Sequence, residues 1–599
     1  MNYLIFFIIS IVSILASIVI AVVISKSMSK KRQNGVIKPF YILLTGLFVS
    51  TFLLLMPVYY SICDNTPLRL LKTILFSIQG TFQAFTVDAD TSFIMENITD
   101  SIGSIAEVYS AVLSVLYVIA PIFTFGVVVS FFKNALAYIK FFFKRRKDLY
   151  VFSELNEKSL ALAEDIKKNH SKCAIVFTDI FDQNEEKSYE LIGRANELGA
   201  ICFKKDILFV KLKIHSPAKA MYLFLIGTDE AENIGQALKI IGAYGSVPNT
   251  YLYVFTTRTE GDLLLSHNHG MSMKVRRVNE IRSLINRMLY EKGTDLFDKA
   301  VPTVGDEKKI HAVIVGLGSH GKEMLKALTW YCQMDGYHIE IDAYDKDELA
   351  EERFTSLCPE LMSKDYNGVV VPGEVEYTIR IHAGVDVETK SFADSISNMK
   401  DVTYAFVALG SDELNVRIAV NLRMLFERSR IKPVIHSVIW NSEEVTALEN
   451  ITNYRGQPYG IGCFGDIRSS FSENVIINSE LEKEALQRHL KWGKEEEFWQ
   501  YEYNYNSSMA SAIHMRARIF CGISGADKPN DEWTKEEKAI IEPLEHRRWN
   551  AYMRAEGYVF SGSKDKSSRN DLAKMHHDLV DFSSLTEEEK RKDSRVGSR

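Results

Sequence analysis

Long apolar runs separated by short polar segments dominate the first quarter of the chain. Continuous apolar runs cover 4–24, 40–62 and 108–132, and each is long enough to cross a bilayer as a helix. The first run lacks the basic start and the small-residue cleavage site of a signal peptide. The pattern therefore predicts three membrane-spanning helices.

Basic residues are unevenly distributed around these runs. They cluster directly after the first and third runs, whereas the loop 63–107 holds only Arg69 and Lys72. Because basic loops stay in the cytoplasm, we expect the N-terminus outside and everything after Lys133 inside. The localisation predicted is a multi-pass protein of the plasma (inner) membrane with cytoplasmic soluble domains.

A fourth apolar segment, 68–87, is amphipathic and interrupted by polar residues, which favours a re-entrant or interfacial helix. A polar turn follows it, formed by Thr86, Val87, Asp88 and Asp90. This layout resembles the pore of tetrameric potassium channels, and acidic side chains repeated by symmetry would attract cations. Only Thr86 and Val87 match the T-V-G-Y-G filter, so potassium selectivity is not implied. The alternative is a helical anchor with an extracellular amphipathic helix and no pore.

Beyond residue 147 the apolar pattern changes to short β-branched runs that alternate with helical periodicity. This alternation over 147–305 and again over 306–445 predicts two α/β units with parallel, doubly wound sheets. The fold class expected is therefore membrane helices plus α/β, with a channel-like transmembrane module. A helical connector over 446–530 and a small α-helical domain over 531–599 follow, and 1–146 forms the membrane part.

The second α/β unit contains a glycine-rich turn between a predicted strand and a predicted helix, KIHAVIVGLGSHG at 309–321. Gly316 permits a tight turn, Gly318 lets the backbone approach a pyrophosphate, and Gly321 lets the helix pack on the strand. Ser319 and His320 complete the G-x-G-x-x-G motif, and Asp345 ends the next strand, where an acid meets a ribose hydroxyl. The prediction is bound NAD or another adenine nucleotide. The alternative is a scaffold that keeps its glycines for packing.

The first α/β unit repeats this pattern without the glycines. Its turn is Ser153-Glu-Leu-Asn156, and Glu154 would repel a phosphate, so we interpret this unit as degenerate. The repeat is visible in AMYLFLIGTDEAEN (220–233) and VTYAFVALGSDELN (402–415), each with a strand, a Gly-[Ser/Thr]-Asp turn and a helix. The second copy adds three candidate nucleotide-binding residues: Gly410, Ser411 and Asp412.

A membrane module joined to two such units resembles the regulator-of-conductance (RCK, TrkA-N) family over about half the chain. The resemblance implies cytoplasmic rings that bind nucleotides or ions and pull on a pore-lining helix. It also implies a symmetric assembly, and we expect a homotetramer. The stretch 131–147 that follows the third apolar run has no glycine or proline, so the inner helix is predicted to transmit force directly.

The C-terminal part is predicted to be helical over 481–499 and 506–519, and a more specific pattern follows. The segment IEPLEHRRWNAYMRAEGYVF with MHHDLVDFSSLTEEEKRKD resembles the RyR domain, a helical repeat of ryanodine receptors and bacterial proteins. Tyr558 and His577 replace the tryptophan and proline that are usual in that family. The resemblance implies sensing of a nucleotide-type messenger, as in antiviral defence.

The chemistry of this segment is compatible with that role. Arg548 can pair with a phosphate, and Trp549 or Tyr552 can stack on a base. The alternative is that Trp549 and Tyr552 form a small helical core and that Glu545 pairs with Arg548 at i, i+3.

Composition excludes some function classes. A net charge of −6 over 599 residues, with no basic and aromatic stripe, argues against nucleic-acid binding. The pattern contains no catalytic constellation and no metal-ligand cluster, so we expect a ligand-gated channel and not an enzyme. Two alternatives remain: a membrane-anchored NAD-binding or NAD-consuming enzyme using Glu545 or Glu376, and a membrane effector that damages the bilayer.

Overall fold

The computed structural model describes most of the chain. The described residues are 3–27, 37–86, 88, 94, 96–98, 106–180, 185–258, 272–303, 307–362, 365–366, 369–370, 377–453 and 455–597. They form two compact units. The first comprises Met1–Arg145, Thr178–Phe181 and Ile201–Ile214, and the second comprises the remainder.

The first unit is built on four long helices. They are α1 (Tyr3–Ser27), α2 (Ile37–Ile62), α3 (Arg69–Thr86) and α4 (Ala106–Lys144). Within α1, α2 and α4, the segments Tyr3–Val23, Ile42–Ile62 and Ala106–Phe125 are long and apolar enough to cross a membrane. The prediction of three apolar helices is confirmed, and they indicate membrane association.

Helix α3 has its small and polar face buried and its apolar face exposed. Thr73, Ser77 and Thr81 are fully buried, whereas Leu75 and Phe82 are more than half exposed. The buried hydroxyls are satisfied within the helix, since Ser77 Oγ donates to the Thr73 carbonyl and Thr81 Oγ1 to the Ser77 carbonyl, both at 2.7 Å. This inverted pattern is typical of helices packed in an apolar solvent, where small residues mediate helix contacts.

Gly80 lies where α3 crosses α2. A Cβ added there would be 2.7 Å from the Tyr59 hydroxyl. The glycine that makes 68–87 look interrupted in the sequence is therefore a packing residue that brings the two helices together.

Helix α4 continues well beyond its apolar segment, as one helix of 39 residues. This confirms the prediction of an uninterrupted inner helix. Near its end, Phe141 is fully buried, and the rings of Tyr138 and Phe141 lie 4.8 and 6.4 Å from that of Phe203. The C-terminal end of α4 therefore contacts the segment 201–214, which contains β3 and two short 3₁₀ turns.

The second unit contains two α/β sheets. The elements of the first are β1 (Leu149–Phe152), α5 (Glu157–Asn169), β2 (Ala174–Phe177), α6 (Glu185–Glu197), β3 (Ile201–Cys202, in the first unit), β4 (Met221–Leu225), α7 (Glu230–Tyr244), β5 (Thr250–Phe255), β6 (Lys274–Val278), α8 (Glu280–Lys292) and α9 (Asp295–Asp298). Its strands within this unit are parallel, in the order β2-β1-β4-β5-β6.

The second sheet repeats this arrangement. Its elements are β7 (Val301–Pro302), β8 (Lys308–Val315), α10 (Ser319–Tyr331), β9 (Tyr337–Tyr344), α11 (Ala350–Leu357), α12 (Pro359–Met362), the small hairpin of β10 (Asp365–Tyr366) and β11 (Val369–Val370), β12 (Tyr377–His382), α13 (Lys390–Asn398), β13 (Tyr404–Val407), α14 (Asp412–Arg428), β14 (Val434–Val438), α15 (Ser442–Glu449) and β15 (Ile461–Phe464). The parallel order is β12-β9-β8-β13-β14-β15, with β7 antiparallel on β8. The order reverses between β8 and β13, which is where ligands bind in such sheets.

An asparagine side chain marks the repeat in both sheets. Asn233 Oδ1 accepts the Gly227 N–H and Asn415 Oδ1 the Leu409 N–H, and each amide also donates to the end of the next strand. Because the asparagines correspond, Leu409, and not Gly410, is the counterpart of Gly227. The matched segments 220–233 and 402–415 therefore correspond as expected, and their Gly-[Ser/Thr]-Asp turns are offset by one residue.

The C-terminal elements are α16 (Ile467–Ser470), α17 (Glu473–Ile476), α18 (Glu480–His489), α19 (Glu495–Gln500), α20 (Glu502–Phe520), α21 (Lys535–Ala555), β16 (Val559–Phe560), β17 (Met575–His576) and α22 (Glu587–Gly597). Residues of α18 to α21 share one hydrophobic core with the second sheet. The single helix expected over 481–499 is wrong, because the chain breaks between α18 and α19, where Gly493 packs closely against the His489 ring.

Candidate functional site

Two of the three glycines in the turn after β8 are fixed by packing. Gly316 has φ +92°, and a Cβ there would lie 2.4 Å from the Ala408 carbonyl oxygen. A Cβ on Gly321 would lie 1.8 Å from the Gly316 carbonyl oxygen. Neither position therefore tolerates a side chain, which agrees with the roles expected for a tight turn and close helix packing.

Gly318 is different. In the described part of the chain, apart from Gly318 and its two sequence neighbours, no heavy atom lies within 4 Å of the place its Cβ would occupy. Gly318 is the N-cap of α10 and supplies no side-chain cap, so no cap side chain covers the N–H groups of the first helical turn. Such a helix start is suited to a phosphate.

Asp345 lies at the end of β9, beside the same turn. Its carboxylate accepts the Leu317 N–H at 2.6 Å and the Asp347 N–H at 2.8 Å. The backbone of the glycine turn therefore holds the Asp345 carboxylate in position. Each oxygen has one protein donor and keeps a lone pair for a ribose hydroxyl.

His320 packs against the adjoining loop instead of facing solvent. Its ring lies 5.8 Å from that of Trp440, and burial lowers its pKa. Its Nε2 is buried without a hydrogen-bond partner among the described residues.

The predicted residues of the turn after β13 are mainly structural. Gly410 has φ +89°, and Ser411 caps α14 by accepting the Leu414 N–H at 3.3 Å. Asp412 Oδ2 accepts the N–H groups of Trp440 and Asn441 at 3.0 and 2.8 Å. Asp412 therefore ties two loops together at the edge of the crevice.

The equivalent crevice of the first sheet is closed by its own side chains. Glu154 Oε2 accepts the Thr228 N–H at 3.1 Å, and Asn156 Nδ2 donates to the Ile226 carbonyl at 2.9 Å. Asn156 is the N-cap of α5 and thus has a side chain at the position that Gly318 occupies at the start of α10.

A second candidate site is a cavity of 310 Å³ in the C-terminal segment, here called the C-terminal cavity. It is bounded by α18, α20, α21 and the 566–596 segment. Its lining includes six basic side chains, Arg488, Arg548, Lys566, Arg569, Lys592 and Arg595. Its acidic side chains are Glu545, Asp578, Glu589 and Asp593, and its large aromatic ones are Trp492, Tyr503 and Trp549.

Arg548 is the most deeply buried of these basic residues, at 1% exposure. Its Nη2 donates to Glu545 Oε1 at 2.6 Å, as the i, i+3 alternative predicted. Glu545 also pairs with Arg518. Burial raises the pKa of Glu545, but the charges of Arg548 and Arg518 outweigh burial and lower it to about 2.

The two aromatic candidates of α21 have different surroundings. Trp549 lines the C-terminal cavity, with its ring stacked on His546 at 5.7 Å and edge-on to His576 at 5.0 Å. Tyr552 is 5% exposed, packs against Trp330 of α10 and is not among the cavity-lining residues. For Tyr552, the expected stacking on a ligand is replaced by a core contact.

Three histidines also line the cavity. His546 donates from Nε2 to the Val580 carbonyl at 2.8 Å, and its Nδ1 lies 3.1 Å from Asp593. Burial lowers the pKa of His546, but Asp593 outweighs burial and raises it. Burial lowers the pKa of His576 to about 3, so this ring is neutral at pH 7.

His576, His577 and Asp578 bring three metal-type ligand atoms within 4.8 Å of one another. The two imidazole rings are stacked at 4.8 Å with 7° between their planes. The in-plane lone pairs of stacked rings run parallel and do not converge on one point, so this geometry is unsuited to sharing an ion.

A larger cavity of 420 Å³ lies between α8 and the α17–α20 region. It too is lined by arginines, but these are paired: Arg276 with Glu482, Arg282 with Glu323, and Arg287 with Glu291. Its positive charge is thereby neutralised by the protein.

The predicted pore positions are only partly described. Thr86 is the last residue of α3, and Thr86 and Asp88 are exposed. Val87, Asp90 and the alternative carboxylate Glu376 lie outside the described residues.

Most of the cavity lining was not among the sequence candidates. Arg488 and Lys592 lie in helices of mixed charge, a pattern that is usual on solvated surfaces and gives no signal of a site. No protein-family model matches the chain, and no curated protein matches it either.

Proposed function

We propose that the chain is a ligand-gated ion channel of the plasma (inner) membrane, with its α/β units and C-terminal cavity in the cytoplasm. In this proposal a nucleotide-type messenger binds in the C-terminal cavity and opens a cation path near Asp88 and Asp90. The two α/β units act as Rossmann-type, RCK-like units between sensor and pore. Antiviral signalling is one setting in which such messengers arise.

One observation carries the proposal most directly. The C-terminal cavity combines a buried arginine, further basic side chains and aromatic rings, which are the groups that recognise a phosphate and a base. Together with the three apolar helices, this cavity supports the proposal of a sensor joined to a membrane part.

The turn at Gly316–Gly321 is assigned a constitutive role. Its open helix start and the placement of Asp345 fit NAD or another adenine nucleotide, with the pyrophosphate beside Gly318 and a ribose at Asp345. The bound nucleotide would stabilise the second sheet and leave regulation to the C-terminal cavity.

The enzyme alternative is less well supported. Glu545 is its carboxylate candidate, yet Glu545 is 1% exposed and held between Arg518 and Arg548. A carboxylate with both oxygens engaged in ion pairs is a weak nucleophile and a weak base.

Ion flux in liposomes tests the proposal. Purified chain is reconstituted with an entrapped cation-sensitive dye and, separately, with entrapped calcein, and the common ribonucleoside 5′-monophosphates are added outside. We expect cation entry with calcein retained. Equal leakage of calcein would instead indicate bilayer damage, the membrane-effector alternative.

A double variant and a control variant test where the cation path lies. Asp88→Asn combined with Asp90→Asn should lower cation flux without changing nucleotide binding, because two carboxylates per subunit are lost near the entrance. Asp64→Asn, an exposed acid of the same outer loop, is the matched control and should leave flux unchanged. Unchanged flux in the double variant would refute the pore assignment.

A further inference from the structure

We infer that the C-terminal cavity selects ligands that carry a phosphate monoester dianion, and that Arg548 seats this group. The inference rests on the proposed function only in taking the cavity as the ligand site. It concerns the charge state of the ligand, which the proposal above leaves open.

The hydrogen bonding of Arg548 is incomplete. One of its five N–H groups reaches Glu545, while Nε and Nη1 are buried without a hydrogen-bond acceptor among the described residues. A guanidinium presents its donors in a fixed plane. Buried charged donors without acceptors cost free energy, so an anionic acceptor placed beside Arg548 would be strongly favoured.

The acidic side chains of the cavity are already engaged. Glu545 is bound by Arg518 and Arg548, Glu589 by Lys592, and Asp593 by His546. Asp578 Oδ1 lies 3.3 Å from His577 Nε2. The lining holds six basic and four acidic side chains, which gives it an excess of positive charge, although Arg569 shares its charge with Asp571.

Arg488 adds a second guanidinium to the lining of the C-terminal cavity. It is 7% exposed and donates to the Ser511 hydroxyl at 3.0 Å and to the Val596 carbonyl at 2.8 Å. Burial, and then the charges of Arg518 and Arg548, lower its pKa to about 10, although Glu545 opposes this. Mutual repulsion between neighbouring guanidiniums is relieved best by a group with two negative charges.

This charge preference separates two chemical classes of nucleotide. A 5′-monophosphate carries a terminal phosphate that is mostly dianionic at pH 7.5, since its second pKa is about 6. A 3′,5′-cyclic nucleotide has one diester with a single charge. Ser507 and Ser511 also line the cavity and add hydroxyl donors for the terminal oxygens, and Trp492 and Trp549 offer the aromatic surfaces on which a base stacks.

The experiment compares matched pairs of ligands on full-length protein in detergent. The protein carries Gly318→Asp, which blocks the glycine turn, so that binding reports on the C-terminal cavity. Calorimetry measures each common ribonucleoside 5′-monophosphate against its 3′,5′-cyclic counterpart. We expect at least one monophosphate to bind about tenfold or more tightly than its cyclic counterpart, which corresponds to about 1.4 kcal/mol.

Arg548→Met assigns the preference to a residue. We expect it to weaken monophosphate binding about tenfold or more and to change cyclic-nucleotide binding little. Arg417→Met is the matched control, because Arg417 is an exposed arginine of α14 that pairs with Glu388, and it should change neither.

The outcomes are distinguishable. Equal affinity within every pair, no binding of any monophosphate, or an unchanged preference in Arg548→Met would each overturn the inference. If Arg548→Met does not fold, the comparison of monophosphate with cyclic nucleotide on protein that retains Arg548 still tests the charge preference. Selective binding without liposome flux would contradict the proposed channel and leave this inference standing.

Discussion

At the scale of single residues, the glycine turn divides into two packing glycines and one open glycine. Gly316 and Gly321 have backbone oxygens where a Cβ would go, whereas Gly318 has open space in the described chain. Motif spacing predicted separate roles for the three glycines. It could not identify the packing partner of Gly316, because this is the carbonyl of Ala408, about 90 residues away in the sequence.

The first prediction follows from this contrast. Gly318→Asp should keep or slightly raise thermal stability, because aspartate is a good N-cap, yet it should abolish nucleotide retention through charge repulsion. Gly318→Ala is the control and should retain nucleotide. Gly321→Ala should lower the free energy of unfolding by roughly 1–3 kcal/mol through overpacking. Mass spectrometry of released nucleotide and thermal unfolding measure these effects, and retention in Gly318→Asp would contradict the site.

The second prediction concerns a buried histidine in the second sheet. His311 donates from Nε2 to Asp342 and from Nδ1 to Asp401, both at 2.8 Å. Burial lowers the pKa of His311, but the two carboxylates outweigh burial and raise it. Its stabilising contribution is therefore complete below the unfolded pKa of about 6.5 and is lost as pH rises through the folded value.

His311→Gln removes this titration. The difference in unfolding free energy between native chain and variant, measured by urea unfolding, should shrink as pH rises from about 6 to about 9. A difference that is constant or grows with pH would show that the imidazolium is not the stabilising species.

Sequence reasoning identified the residues of the C-terminal helix but not their surroundings. Arg548 and Trp549 do line a cavity, and Tyr552, three positions further on the same helix, packs into the core. Helical periodicity places all three on one side, whereas burial depends on α10 and its Trp330. The serines and Arg488 that also line the cavity come from other helices and gave no local signal.

At the scale of elements, apolar periodicity predicted the spanning helices and most strands, since those signals are local. It failed where tertiary packing decides the outcome. Strand β6 (KVRRV) is too polar to be recognised, and the break before α19 depends on Gly493. In α3 the buried face is the polar one, a reversal that the pattern alone does not reveal.

The third prediction concerns the end of the inner helix. The ring of Phe203 contacts Tyr138 and Phe141 of α4, and Phe203 precedes a segment that leads into β4. Phe203→Leu should keep nucleotide binding and weaken ligand-evoked flux by up to about tenfold, because each aromatic contact is worth about 0.5–1.5 kcal/mol. Phe209→Leu, at an exposed position of the same segment, is the control. Equal flux in both variants would show that the Phe203 contacts with α4 do not couple ligand binding to ion flux.

At the scale of the whole molecule, one chain supplies too few helices to enclose a path for ions. The exposed apolar side chains of α1, α3 and α4 require lipid or further copies of the chain. Cyclic symmetry is the usual solution for identical subunits.

The fourth prediction is therefore a homotetramer. Light scattering of the purified protein in detergent, corrected for bound detergent, should give four times the chain mass of 68.2 kDa. A monomer or dimer would leave no closed ring around a pore and would contradict the channel assignment.

The most direct test measures cation entry in a variant of the C-terminal cavity, so that one experiment reports on both the ligand site and the ion path. Liposomes containing the native chain, Arg548→Met or the control Arg417→Met are exposed to the common ribonucleoside 5′-monophosphates, and cation entry is recorded. The account predicts entry in the native chain and the control, and about tenfold less in Arg548→Met at the same subsaturating ligand concentration. Equal entry in all three proteins, or no entry in any of them, would contradict it.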